Sequence, residues 1–291
     1  MRIVRVIGGL GNQMFQYAFA CKLKKLYPRE RVLLDLTHFK GYDVRSFELD
    51  YIFNLSIPTA KFRELILVTS PFSINTTMGQ FASSFVRWKK EYYEKEEFKF
   101  GYDQQSLMVP GSCYYVGYWF SHHYFEDIQN DIRREFDFKR PLDGENSILK
   151  NKIDDCNSVS IHVRRGDYLL YDKYKNICEI DYYKNAINYI KEKVGNPHFF
   201  IFSNDIDWCR EKLLQYLENY SFSINNDVQN NYIDMQLMAC CKHNIIAHSS
   251  FSWWAAWLNS NPDKIVVAPS KWINSTAPIG KPQLDDWVLI D

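Results

Sequence analysis

Two adjacent arginines, Arg164 and Arg165, stand directly behind the apolar run Val159–Val163 in the segment HVRRGDY (162–168). A guanidinium keeps its charge at any physiological pH and grips phosphate oxygens bidentately, so the pair can hold a diphosphate and take the place of a divalent metal. The structural alternative is an ion pair to Asp167 or Asp155. Because successive residues of a strand point to opposite sides, only one of the two arginines is expected to reach a ligand. Three further segments carry chemistry of a related kind. In HSSFSWWAAWLN (248–259), Ser249, Ser250 and Ser252 precede a helix, where hydroxyls and free N–H groups can cradle an anion; ordinary N-capping by a serine is the alternative. In FSNDIDWC (202–209), Asn204 and Asp205 are read as contacts for a base or ribose. Asp205 and Asp207 also form a D-x-D that could hold a metal, although Asp207 falls where an acidic residue favours a helix N-terminus. In GGLGNQ (8–13), a glycine turn feeding a helix lets backbone N–H groups approach an anionic or sugar ligand, with Asn12 and Gln13 able to face it; a tight turn that needs glycine for its backbone alone is the alternative.

Several chemistries are missing. GGLGNQ is not the GxGxxG of dinucleotide folds, His162 and His248 are in no HExxH spacing, and neither a GxSxG nor a kinase signature occurs. The two histidines are therefore read as hydrogen-bonded groups near a nucleotide. The tripeptide Arg165-Gly166-Asp167 at a strand end is not read as a cell-adhesion signal.

These segments need a scaffold, and the hydrophobic pattern supplies one. Strand Arg2–Ile7, a loop at Gly8–Asn12, helix Asn12–Leu26 with Phe15, Phe19, Leu23 and Leu26 at helical spacing, and strand Arg31–Leu36 make a βαβ opening. Residues 37–110 show no clean period beyond a charged helix at Phe85–Phe98. Ser112–Phe120 reads as a strand and Ser121–Arg134 as a helix, before the polar cluster FKRPLDGENS places a domain boundary after residue 145. From there strands at Val159–Val163, Phe199–Phe202, Phe222–Ile224, Asn244–Ala247 and Lys264–Val267 alternate with helices at Asp181–Val194, Asp205–Leu217, Asn231–Cys241 and Ser252–Leu258. Such alternation specifies a parallel sheet with helices on both faces, whose ligands sit beyond the carboxyl ends of the strands. The arginine, serine and Asn-Asp segments all fall at those ends. Trp253, Trp254 and Trp257 lie inside a helix and are read as packing residues.

With 291 residues the chain is long enough for two domains, and 46% hydrophobic content indicates a folded protein. Thirty-five basic residues balance thirty-five acidic ones, so no diffuse positive field exists to hold a nucleic acid. Seven cysteines without a CxxC argue for reduced thiols. The apolar run before Gly8 is too short for a signal-peptide core, and nothing approaches the ~18 apolar residues of a membrane span. A cytoplasmic protein is expected, able to rest peripherally on the inner face of the membrane through partners.

In their order along the chain, GGLGNQMFQYA, GYWFSHHYF, HVRRGDY, FSNDIDWC, SSFSWWAAWL and VVAPSKW resemble the bacterial α-1,2-fucosyltransferases of glycosyltransferase family 11, over residues 8 to 272. HxRRxD is shared with other fucosyltransferase families, whereas SSFSWWAAWL is more particular to this one. The resemblance implies an α/β, GT-B-like fold: two Rossmann-type domains with largely parallel sheets, an acceptor-side domain at 1–145 and a GDP-fucose-binding domain at 146–291. It implies transfer of L-fucose from GDP-β-L-fucose, with inversion and without a metal or other cofactor, to the 2-hydroxyl of a terminal β-galactose. Carried onto matching positions, Arg164 holds the β-phosphate with support from Arg165, while Ser249, Ser250 and the Phe251 backbone cradle the diphosphate. His162, Asn204 and Asp205 lie near the guanosine, and Asn12 near the fucose. Asp167 is a candidate for the base that takes the acceptor proton, but two arginines beside it make it a poor one. Phe120 stands where Gln is expected, Asn204 where Asp is common, and His248 where Asn is common. Two other readings compete: a non-catalytic glycan-binding module built on the aromatics, and a metal-dependent transferase for another sugar nucleotide.

Overall fold

The computed structural model describes residues 1–41, 46–68, 91–95, 100–223, 230–275 and 280–291. The chain divides into two compact units, Met1–Lys139 with Ala277–Pro282, and Arg140–Thr276 with Gln283–Asp291. The division falls between Lys139 and Arg140 rather than after residue 145, and a short C-terminal stretch goes with the first unit.

The first unit is built on a parallel sheet in the order β2-β1-β4-β3, with β1 at Arg2–Arg5, β2 at Val32–Asp35, β3 at Glu91–Tyr93 and β4 at Cys113–Val116. The helix Leu10–Leu26 joins β1 to β2 and is buried on nearly every face through Leu23. Leu26, expected on the apolar stripe, is exposed beside Lys24 and Lys25, whose charges complement the helix C-terminus. Within the segment expected as helix Phe85–Phe98, Glu91–Tyr93 is strand, paired with Tyr114–Val116; residues 85–90 and 96–99 lie outside the described residues. β4 stops short of Phe120 because the Glu94 carboxylate takes the N–H groups of Tyr118 (2.8 Å) and Trp119 (2.9 Å), which would otherwise extend the ladder. The helix expected over Ser121–Arg134 is broken into 3₁₀ turns at His122–Tyr124 and Glu126–Ile128 and a short helix at Gln129–Glu135.

The second unit carries six parallel strands in the order β10-β9-β8-β5-β6-β7: β5 Asn157–Val163, β6 Pro197–Ser203, β7 Tyr220–Phe222, β8 His243–Ile245, β9 Val266–Pro269 and β10 Val288–Ile290. β5 is central and buried on both faces. Val159, Ile161 and Val163 pack on the core that includes Tyr183, Ile187 and Ile190 of the helix Ile180–Lys193. Ser158, Ser160 and His162 alternate with them and are also buried, so the strand's polar side must find partners. Ser160 Oγ accepts from Asn244 Nδ2 at 2.8 Å, and Asn259 Nδ2 donates to Asn244 Oδ1 at 2.7 Å. The helix expected over Asp205–Leu217 is a single turn at Ile206–Trp208, a π-helical turn at Cys209–Leu213 and a 3₁₀ turn at Leu214–Tyr216. The helix Gly144–Asp154 and strand β10 complete the unit and had no counterpart in the sequence reading. Residue 224 lies outside the described residues, and β7 ends at Phe222. Among the described residues, no helix is long and apolar enough to cross a membrane.

Candidate functional site

β5, β6 and β8 run parallel, so the loops leaving Val163, Ser203 and Ile245 emerge at one end of the sheet. Two of these loops are clipped together by Asn204. Its Oδ1 accepts the Arg165 N–H at 3.0 Å, and Gly166, at φ +26°, lies so close that a Cβ there would fall on Asn204 Nδ2. Glycine is required twice over, for the backbone angle and for the approach. Asn204, expected at the base or ribose, thus spends its carbonyl oxygen on the arginine loop.

The two arginines lie just past the end of β5 and turn to different partners. Arg165 turns into the unit: it donates to Glu179 Oε2 at 3.0 Å, its Nε lies 3.4 Å from Asp205 Oδ2, and its guanidinium sits 4.4 Å from the Trp208 ring centre. The Asp205 contact is one of charge alone, since Nε makes no hydrogen bond. Asp205 also caps the Ile206–Trp208 turn by accepting the Trp208 N–H at 3.1 Å. Its carboxylate is committed to the turn and to Arg165, which leaves the D-x-D reading without a free Asp205. Among the described residues Arg164 pairs with its own loop, 2.6 Å from Asp167 and 5.3 Å from the Tyr168 ring centre, and is the more open of the two, at 26% against 14% side-chain exposure.

The third loop meets the first through rings and hydroxyls. Phe251 packs 5.7 Å from His162, and Ser249 hydrogen-bonds the Tyr168 hydroxyl. Burial pushes the Tyr168 phenol up to about 12, against the pull of Arg164, so it stays neutral. Ser249 occupies the N-cap position of the helix Ser250–Leu258, yet its hydroxyl makes no capping bond. Simple N-capping therefore does not account for it. Ser252 turns back onto the carbonyls of Ala247 and Ser249. Trp253, Trp254 and Trp257 are buried, as expected of packing residues.

Both histidines of the site are buried, and each keeps one ring nitrogen without a partner, Nδ1 in His162 and Nε2 in His248. Burial, with Arg164 and then His248 adding to it, depresses His162 to about 3. Burial takes His248 to about 4, the Tyr168-side neighbour Tyr174 opposing through its backbone and Arg164 reinforcing. Both are neutral at pH 7, and of the two only His248 makes a ring contact of hydrogen-bond length among the described residues, to Cys178.

In the first unit, Gly8 at φ +81° lets Asn12 fold back over the glycine turn, its Nδ2 only 2.5 Å from where a Cβ would sit. Gln13, expected to face a ligand, is fully buried. Its Nε2 donates to the carbonyls of Gly8 (3.0 Å) and Ser46 (2.9 Å), and its Oε1 accepts the Glu48 N–H at 2.9 Å. It staples loops and has no amide function left over. Phe120 stacks on Phe100 and Tyr118 at 5.3 and 5.0 Å, an aromatic pile where an amide was expected. Sequence reasoning missed Glu179, Cys178 and Trp208 as partners of the site. Trp208 belongs to FSNDIDWC, whereas Glu179 and Cys178 reach the site only through the fold. Among the described residues, a cluster with metal-type spacing occurs at His122, His123 and Glu126, apart from Asp205 and Asp207.

Two parallel-sheet units with phosphate-type loops at the strand ends of the second describe a GT-B-like glycosyltransferase. The family model for glycosyl transferase family 11 matches residues 1–291, and the chain belongs to that family. It is 32% identical to an alpha-1,2-colitosyltransferase of Escherichia coli over 99% of this chain and 98% of the relative. It is 33% identical to the O-antigen biosynthesis glycosyltransferase WbnK of Escherichia coli over 97% of each. Human galactoside alpha-(1,2)-fucosyltransferase 1 is 25% identical over 98% of this chain and 73% of its own length. Among solved structures, a mutant of Arabidopsis thaliana FUT1 in complex with GDP superposes with a TM-score of 0.50 at 12% identity, covering 92% of this chain and 70% of that one, a likeness of fold.

Proposed function

We propose that the chain transfers L-fucose from GDP-β-L-fucose, with inversion, to the 2-hydroxyl of a terminal β-galactose in a glycan, without a metal. The second unit takes the GDP moiety and the first the acceptor. The observation that carries this reading is Arg164, a partly exposed guanidinium held by Asp167 and Tyr168 in a loop that also meets Ser249.

As the bond from the anomeric carbon to phosphate breaks, positive charge grows on the sugar ring and negative charge on GDP. A cation already in place stabilises the departing diphosphate without reorganisation, and one such donor is typically worth ~3 kcal/mol of barrier. Arg164 fills that role. Arg165, committed to Glu179 and Asp205, fixes the loop from which Arg164 projects. Ser249, Ser250 and the Phe251 N–H group line the helix start for the remaining phosphate oxygens. His162 stands on the nucleoside side of this loop. Asp167 is bound to Arg164, so it serves as the orienter of that guanidinium rather than as the base that takes the acceptor proton.

Colitose is L-fucose lacking one ring hydroxyl, and the resemblance to a colitosyltransferase makes GDP-colitose the second donor to try. The test is incubation with GDP-fucose, GDP-colitose and UDP-sugars, each with lactose or N-acetyllactosamine in EDTA, with products read by mass and NMR. An α-1,2-fucosylated galactoside is the expected product. Transfer from a UDP-sugar alone, or saturable glycan binding with no affinity for GDP, would refute the proposal.

A further inference from the structure

We infer that His248 and Cys178 are positioning residues for the phosphate-binding guanidinium, acting on Arg164 through the ring of Tyr168. The inference rests on the reading that Arg164 holds the diphosphate.

The contacts form an unbroken chain. Cys178 is buried just ahead of the helix Ile180–Lys193, and its Sγ lies 3.2 Å from His248 Nδ1. The His248 ring lies 4.9 Å from the Tyr168 ring and 6.1 Å from that of Tyr174, and the two tyrosines stack on each other at 4.6 Å. Tyr168 in turn carries the Arg164 guanidinium 5.3 Å from its ring centre. The imidazole thus joins the loop after β8 to the loop after β5, directly beside the Ser249–Tyr168 hydrogen bond.

Packing alone does not explain a histidine here. Among the described residues its buried Nε2 makes no hydrogen bond, a cost that an apolar ring of similar size would avoid. What an imidazole adds is Nδ1, whose contact with the thiol fixes the rotation of the ring and with it the surface that Tyr168 rests on. The ring must also be uncharged, because an imidazolium would repel Arg164 and leave an unpaired cation buried. The depressed titration of His248 agrees with that requirement. A merely structural pair would matter equally for every ligand of the unit; a positioning pair matters only for ligands that reach Arg164.

That difference gives the experiment, which measures equilibrium binding of GDP and of guanosine to the full chain and its variants by calorimetry. For His248→Leu, GDP affinity is expected to fall about tenfold, the effect of misplacing one charge-assisted hydrogen bond, with guanosine affinity kept within about twofold. Combining it with Tyr168→Leu is expected to cost no more than the worse single variant, because both act along one path. Cys178→Ala is expected to lose about threefold on GDP alone, and Cys178→Ser, which restores a hydroxyl to Nδ1, to recover it. Unchanged GDP affinity in His248→Leu, equal losses on GDP and guanosine, or additive losses with Tyr168→Leu would each overturn the inference. Should His248→Leu not fold, the Cys178→Ala and Cys178→Ser pair decides by the same comparison. A wild-type chain that binds no GDP would instead remove the nucleotide reading itself, and this inference with it.

Discussion

Lowering the pH from 7 to 5 should destabilise the wild-type chain more than His248→Asn, and the structure sets the size of the difference. The folded protein holds His248 at about 4, below its ordinary 6.5, because the ring is buried near Arg164. The unfolded chain therefore takes up the proton first. Stability from this group is complete above pH 6.5 and is lost as the pH falls toward 4, where the penalty levels off. At pH 5, about 1.5 pH units below the unfolded value, the loss is about 2 kcal/mol at 1.36 kcal/mol per unit. The other buried histidine, His162, is depressed chiefly by burial and Arg164 and stays neutral at pH 5 in both proteins, so its contribution largely cancels in the comparison. Urea unfolding at the two pH values reports it, with the fluorescence of Trp253, Trp254 and Trp257 following the second unit, which contains both histidines. The wild-type chain is expected to lose about 2 kcal/mol more than the variant between pH 7 and 5. Equal losses in the two proteins would show that His248 is not buried as a neutral ring, and the account of the Tyr168 contact would fall with it.

Four further outcomes follow from the same geometry. Arg164→Ala should reduce transfer about a hundredfold or more while leaving the melting temperature unchanged, read by product formation and thermal unfolding. Gly166→Ala should force Asn204 away from the loop and strain the backbone, costing about 1–2 kcal/mol of stability by urea titration and weakening GDP binding in calorimetry. Gln13→Leu should destabilise the first unit by about 2–3 kcal/mol, since it strands two carbonyls and an N–H group, and should leave guanosine binding to the second unit intact. Transfer in EDTA should equal transfer in magnesium, because Asp205 is already held by Arg165 and the Trp208 N–H; a requirement for a divalent ion would return the D-x-D to the site.

The second sheet was legible in the sequence because its strands are short apolar runs separated by amphipathic helices, and parallel strands buried on both faces have that pattern. β10 escaped because Val288–Ile290 is only three residues long, and the Gly144–Asp154 helix because the same polar composition that starts a helix also marks a linker. The broken segments at Ser121–Arg134 and Asp205–Leu217 were read as continuous helices from side-chain periodicity, which does not register a 3₁₀ or π turn. Gln13 shows the other limit. An amide at the start of a helix looks the same whether it faces a ligand or, as here, the carbonyls of Gly8 and Ser46.

Asn204 shows why the site residues themselves divide into those the sequence could assign and those it could not. Residue type tells what a side chain can bond, and the motif tells which strand end it occupies, but competition among neighbours decides what it does bond. Arg165 and Asp205 both carry charges suited to a ligand, but Arg165, the less exposed of the two arginines, directs its charge at Glu179 and Asp205, because a charge withdrawn from water and left unpaired is costly. Arg164 faces the more open side of the same strand end, where a single carboxylate from its own loop suffices to hold it and an incoming diphosphate can compete for it. The more open arginine can exchange partners because the other is held, and the rigidity of the Arg165 cluster is what allows Arg164 to wait in place for a leaving group.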